Sequence, residues 1–199
     1  MNTDESPATV GDQRSRVDWL ADYTTDAGID LPQLVHDDYF LAIKLTFNAG
    51  LFASAMKLLV SYIDSLAYIE YGERQSVPFI KWLDAYADLT PLGITAPELW
   101  ELRNEILHVA NVGTSVRSSN VRRISFRVGA PSLARREEPT DIFYFEVYDL
   151  VQEFVDAQAR WLATYKKDPE KFAQFVDRYD ATVPDSRIAV HRTAVRKDG

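Results

Sequence analysis

The stretch from Leu51 to Tyr71 limits the choice of fold more than any other part of the sequence. On a helix of 3.6 residues per turn it is apolar on most sides, as expected for the central helix of a bundle. Lys57, Asp64 and Glu70 interrupt the run, so we interpret it as a core helix and not as a membrane span. Gly72 is expected to end it.

Start signals and apolar periodicity predict further helices on both sides of this one. The clearest helix starts combine a capping residue with a proline, and they are Asp30 with Pro32, Ser76 with Pro78, and Asp168 with Pro169. The predicted helices cover residues 14–26, 34–49, the region from Ser76 to before Pro91, and residues 95–111, 149–166 and 168–179. The sequence therefore predicts a mainly α fold.

After Gly113 the period of the apolar residues changes from helical to two. Residues 124–128 and 142–147 are predicted strands, and we expect them to form a β-hairpin inserted near residues 121–147. The predicted organisation is a disordered leader (residues 1–13), a single helical domain (14–180) that contains the hairpin, and a polar, basic tail (181–199).

The composition of the chain excludes several kinds of functional site. The chain contains no cysteine, which excludes disulfides and thiolate chemistry and fits a reducing cytoplasm. The three His residues are dispersed, so we expect no metal and no cofactor, and no phosphate-binding glycine loop is present. The N-terminus lacks the regions of a signal peptide, so we expect a cytoplasmic protein without membrane contact.

The net charge of −8 argues against general affinity for nucleic acid, but its distribution is uneven. Residues 112–136 contain six Arg, no Lys and no acidic residue. Arg117, Arg122, Arg123 and Arg127 are therefore candidate RNA-binding residues. The alternative is a solvated, Arg-rich hairpin without a ligand.

The predicted helix at Thr95 to Asn111 carries the candidate chemistry. Thr95 and Glu98 have the spacing of a capping box. Asn104 and His108 are one helical turn apart, and Arg103 lies at the edge of the apolar stripe. Such a set suits metal-independent phosphodiester cleavage. His108 would act as general acid or base, Arg103 would bind phosphate, and Asn104 would bind phosphate or fix the imidazole tautomer.

The string from Arg103 and Asn104 to His108 resembles the Arg-x4-His signature of the HEPN superfamily, and the chain is similar to plasmid- and phage-defence-associated HEPN proteins over roughly residues 36–112. The resemblance implies an antiparallel helical bundle and an endoribonuclease that forms a 2′,3′-cyclic phosphate. It implies a homodimer with a composite cleft, RNA as the substrate, and an antitoxin or other protein as a further partner. It also makes Asp64 the candidate to orient Arg103 or His108.

Other interpretations stay open at this point. Asp64 can equally be a rim carboxylate or a partner of Lys57, and the helix can be a core element whose Arg103 pairs with Asp64 and whose His is merely exposed. The protein would then be a catalytically silent HEPN-like dimer that binds RNA, nucleotide or a protein, or a purely structural bundle.

Overall fold

The computed structural model describes residues 22–26, 28–73, 76–107, 121–129, 141–165 and 168–182. The chain forms two compact units, the first of Met1–Ile29 with Asp185–Gly199 and the second of Asp30–Pro184. The predicted leader, most of the predicted tail and part of the predicted helix at 14–26 lie outside the described residues.

The described part of the first unit is a short antiparallel pair, β1 (Thr24–Thr25) with β2 (Gly28–Ile29). The predicted helix end at Asp26 is therefore wrong, because residues 24–26 are not helical. Gly28 has a φ of 110°, which permits the tight reversal, and the Thr25 hydroxyl donates to its carbonyl oxygen at 2.7 Å.

The second unit is mainly α, as predicted. Its helices in chain order are α1 (Leu31–Val35), α2 (Leu41–Asn48), α3 (Phe52–Tyr71), α4 (Ser76–Tyr86), α5 (Ala96–Leu107), α6 (Val147–Ala163) and α7 (Pro169–Thr182). A π-helical segment, His36–Phe40, joins α1 to α2. In this segment burial, with the adjacent charge of Asp37, raises the pKa of Asp38 to about 7.

Helix α3 is the centre of the unit, as its apolar circumference predicts. It contacts α2, α4, α5, α6 and α7, and most of its apolar side chains are buried. By length and composition α3 is also the one described helix that could cross a membrane, but the core helix of a bundle passes the same test.

The strands β3 (Ile124–Arg127) and β4 (Phe143–Glu146) pair in parallel, so the predicted hairpin is wrong. A hairpin requires antiparallel strands, whereas parallel strands require a long crossover connection. The segment between β3 and β4, residues 128–142, has enough residues for such a connection. Alternating polarity reveals a strand but not the direction of its partner.

The aromatic core lies between α3, α4, α6 and α7. Trp82 and Trp161 are fully buried with ring centroids 6.3 Å apart, and Phe175 packs against Trp161 at 6.0 Å and against Tyr179 at 5.4 Å. Each ring excludes a large apolar area from water, which stabilises the contact between the three outer helices.

The carboxylate of Glu70 connects these helices by polar contacts. Oε1 accepts from Tyr86 at 2.9 Å and from Lys171 at 2.6 Å, and Oε2 accepts from Trp161 and Tyr165, both at 2.8 Å. Burial alone would raise the pKa of Glu70, but the hydrogen bonds, led by that of Lys171, hold the pKa below its ordinary value. This carboxylate is therefore charged and fully used inside the protein.

We expect Glu70→Gln to lower the free energy of unfolding at pH 7 by about 3 kcal/mol, because it leaves the Lys171 ammonium without its charged partner. Since the folded pKa is below the ordinary value of 4.5, the contribution of Glu70 is present at neutral pH and is lost as the pH falls through the folded pKa. The difference between wild type and variant should therefore shrink in acid. Urea denaturation at pH 7 and pH 3 measures it.

The matched control is Glu170→Gln, at an exposed position at the start of α7. It should change the stability by less than about 0.5 kcal/mol at either pH. Equal losses in the two variants, or a Glu70→Gln deficit that does not depend on pH, would contradict the role given to Glu70.

Candidate active site

The helix α5 begins with the capping box that the sequence predicts. The Thr95 amide donates to Glu98 Oε2 at 2.7 Å, and the Glu98 amide donates more weakly to the Thr95 hydroxyl at 3.4 Å. These two bonds satisfy amides that a helix start leaves unpaired, and they fix the direction in which α5 leaves the loop.

The same Glu98 carboxylate binds Arg122. Arg122 donates from Nε to Glu98 Oε1 at 2.7 Å and from Nη2 to the Gly93 carbonyl oxygen at 2.5 Å, and its guanidinium lies 4.2 Å from the centroid of the Phe143 ring. Burial would raise the pKa of Glu98, but the hydrogen bonds from Arg122 and Thr95 lower it. These contacts favour a structural role for Arg122, holding the start of β3 against α5.

Further along α5, Arg103 is held by Asp64 and Asn104, the two other polar residues of the predicted site that the structure describes. Its Nε and Nη2 contact Asp64 Oδ2 on α3 at 2.7 and 2.6 Å, and its Nη1 donates to Asn104 Oδ1 at 3.0 Å. Its guanidinium also lies 5.0 Å from the centroid of the Trp100 ring. The structure thus brings Asp64, Arg103 and Asn104 together across α3 and α5.

Asp64 and Arg103 line a groove of about 300 Å³, the Arg103 groove, whose walls also include Ser65, Glu73, Trp100 and Thr182. The Arg103 side chain is 18% exposed and that of Asp64 is 27% exposed, so both face the groove without being on open surface. The wall combines one guanidinium with aromatic surface and two carboxylates. It can therefore accommodate a ligand that offers both an anionic group and hydrogen-bond donors.

The structure does not place every predicted site residue. His108 and Arg117 lie outside the described residues, so the proximity of the imidazole to Asn104 stays a prediction. In the described part of the chain, no group of three or more His, Asp and Glu side chains has the arrangement of a metal site.

The remaining two candidate RNA-binding residues lie on or beside β3. Arg127 pairs with Glu146, its parallel neighbour on β4, at 2.6 Å. Arg123 approaches Asp141 at 3.9 Å, and both side chains are largely exposed. The carboxylates of Glu146 and Asp141 therefore reduce the positive potential that is expected from the cluster of arginines in the sequence.

Sequence reasoning missed two parts of this site. Trp100 was not predicted to line a groove, although its position three residues before Arg103 puts both on one side of α5. The contact of Glu98 with Arg122 had no local signal, because it joins segments that only the tertiary fold brings together. The chain matches no family model, no curated protein and no solved structure.

The contact of Asp64 with Arg103 can be measured by a double-mutant cycle with Asp64→Asn and Arg103→Gln. Because both side chains are partly shielded and the hydrogen bonds are charge-assisted, we expect a coupling energy of about 1–2 kcal/mol from urea denaturation. The control cycle uses Arg123→Gln with Asp141→Asn, whose longer and more exposed contact should give no measurable coupling. Equal coupling in both cycles would show that Asp64 does not hold Arg103.

Proposed function

We propose that this protein is a metal-independent endoribonuclease of the HEPN type. The observation that carries the proposal is the fixed Arg103 guanidinium, which is held by Asp64 and Asn104 at the edge of a groove. In the sequence Arg103 precedes His108 by five positions. A fixed guanidinium stabilises charge on phosphate oxygens without having to reorganise during the reaction.

In this mechanism the RNA supplies its own nucleophile. His108 removes the proton of a ribose 2′-hydroxyl, the 2′-oxygen attacks the adjacent phosphorus, and the 5′-oxygen leaves with a proton from a second acid. The products are a 2′,3′-cyclic phosphate and a 5′-hydroxyl. DNA is not a substrate because it lacks the 2′-hydroxyl.

The guanidinium must exchange one partner to bind phosphate. Asp64 occupies the edge of Arg103 formed by Nε and Nη2, whereas Nη1 donates to a neutral carboxamide. A phosphate oxygen is a stronger acceptor than the Asn104 amide oxygen and would replace it at Nη1. Asn104 is then released from Arg103 and becomes free to bind His108, from which it is separated by four positions in the sequence.

The Arg-x4-His motif of one protomer contains a single His, while the reaction needs an acid and a base. A homodimer supplies both, with His108 of each copy at a composite cleft. An antitoxin or another protein partner that covers this cleft would keep the enzyme inactive, which suits a toxin or an antiviral-defence effector.

The second candidate is a catalytically silent helical dimer that binds RNA, nucleotide or a protein. The observation in its favour is electrostatic. Three arginines of the described region, Arg103, Arg122 and Arg127, are each within hydrogen-bond distance of a carboxylate. Phosphate binding to these residues has to compete with an internal anion, which weakens the affinity for a polyanion.

Cleavage of a labelled, structured RNA in EDTA distinguishes the two candidates. We expect wild type to cut and to leave cyclic phosphate ends. His108→Ala should slow cleavage by roughly 10²–10⁴-fold through loss of acid–base catalysis, and Arg103→Ala by roughly 10²–10³-fold through loss of charge stabilisation. The control is His191→Ala, which removes an imidazole outside the motif and should cut at the wild-type rate.

Circular dichroism of each variant checks that it is folded. Absence of cutting by every form, or equal cutting by wild type, Arg103→Ala and His108→Ala, would contradict the ribonuclease proposal. The silent dimer would then be the better account of the Arg103 groove.

A further inference from the structure

A second groove, of about 380 Å³, lies between α1 with the π-helical segment and the C-terminal half of α6. We call it the Gln158 groove. Its walls are mainly apolar and include Val35, Phe40, Val155 and Leu162. None of the described residues that line it is Asp, Glu, Lys or Arg. Its volume is in the range of small-molecule sites, which are usually apolar with a few polar groups.

The first polar group at this groove is the carboxamide of Gln158. The residue is only 6% exposed, and its Nε2 has no hydrogen-bond partner among the described residues. A buried amide that makes no hydrogen bond costs about 1–3 kcal/mol, and buried polar groups in proteins are nearly always paired. Within the part of the chain that the structure describes, the position is therefore unfavourable, and an acceptor on a bound ligand would relieve it.

The second polar group is His36, at the start of the π-helical segment. Its Nδ1 lies 3.0 Å from Asp37 Oδ1, which also accepts from Gln33 Nε2 at 2.8 Å, and its ring lies 5.7 Å from that of Phe40. Since a carboxylate only accepts, Nδ1 carries the hydrogen, and Nε2 of the neutral ring is then an acceptor. π-helical turns are often found at functional sites.

We propose that the Gln158 groove binds a neutral, largely apolar small molecule that carries a hydroxyl or amide group. The apolar walls bury its hydrocarbon part, and the amide of Gln158 donates to its oxygen after rotation about the terminal torsion, which is soft. A charged head group is disfavoured because no side chain of opposite fixed charge lines the groove. The site shares no residue with the Arg103 groove, so it stands whether or not the protein cleaves RNA.

The test is a titration of the full-length ¹⁵N-labelled protein with 1-octanol, followed by ¹H–¹⁵N correlation spectra, with octanoate as the charged comparison. We expect saturable shifts at Val35, Val155 and Leu162 with 1-octanol. Octanoate should bind at least about fivefold more weakly, because its carboxylate loses hydration in a groove that has no fixed positive charge.

Two substitutions on α6 locate the site. Gln158→Leu keeps the size of the side chain and removes the amide, and it should weaken 1-octanol binding about fivefold without loss of thermal stability. Ala159→Trp, at an exposed position on the wall, should fill the groove and abolish the shifts. The matched control is Gln152→Leu, at an exposed position on the same helix, which should bind as wild type does.

Absence of saturable shifts at the groove in wild type would overturn the proposal. Unchanged binding in Ala159→Trp would also overturn it, because the alcohol would then bind elsewhere. Equal affinities of Gln158→Leu and Gln152→Leu would show that the buried amide does not recognise the ligand.

Discussion

The hydrogen-bonded carboxylate of Glu70 is the interaction on which the helical unit depends, because it joins the end of α3 to three other parts of the bundle. Tyr86 reaches it from the end of α4, Trp161 from α6 and Lys171 from α7. A buried carboxylate is costly unless every oxygen is satisfied, and here each oxygen has two donors within the protein. A packing that separated these helices would remove these partners from the Glu70 carboxylate.

A second contact secures the same end of α3. Arg178 on α7 donates from Nη1 to the carbonyl oxygens of Ile69 and Glu70 at 2.9 and 2.6 Å, where a helix leaves its carbonyls unpaired. Gly72 follows with a φ of 78°, and its missing Cβ leaves room for the Arg178 guanidinium. Side chain and backbone of α3 are thus both bound to α7.

The position of Asp64 follows from these constraints. Asp64 is six residues before Glu70 on the same helix, or roughly 9 Å along its axis. Because the end of α3 is fixed, Asp64 is presented to α5 in a constant place, and the capping box fixes the start of α5. Arg103 is therefore oriented by two helices whose positions are set independently. This preorganisation makes the guanidinium suitable for binding a phosphate.

Local features of this fold could be predicted from the sequence, and contacts between distant segments could not. Capping residues such as Thr95 and Asp168 act within one turn, so their spacing is visible, and the central role of α3 follows from its apolar circumference. The partners of Glu70, the parallel pairing of β3 with β4 and the contact of Arg122 with Glu98 depend on tertiary packing. A glutamate in an apolar run indicates that the carboxylate has a buried partner, but the local sequence does not show which residue that partner is.

The proposed ribonuclease requires that the α5 helices of two protomers face each other to form one composite site. The chain has no cysteine, so Glu105→Cys on α5 gives a unique place for a nitroxide label. Packed helices lie roughly 8–10 Å apart, so double electron–electron resonance should give one narrow distribution of roughly 20–30 Å between labels of the two protomers. A signal without intermolecular modulation, or distances well beyond this range, would contradict the composite site.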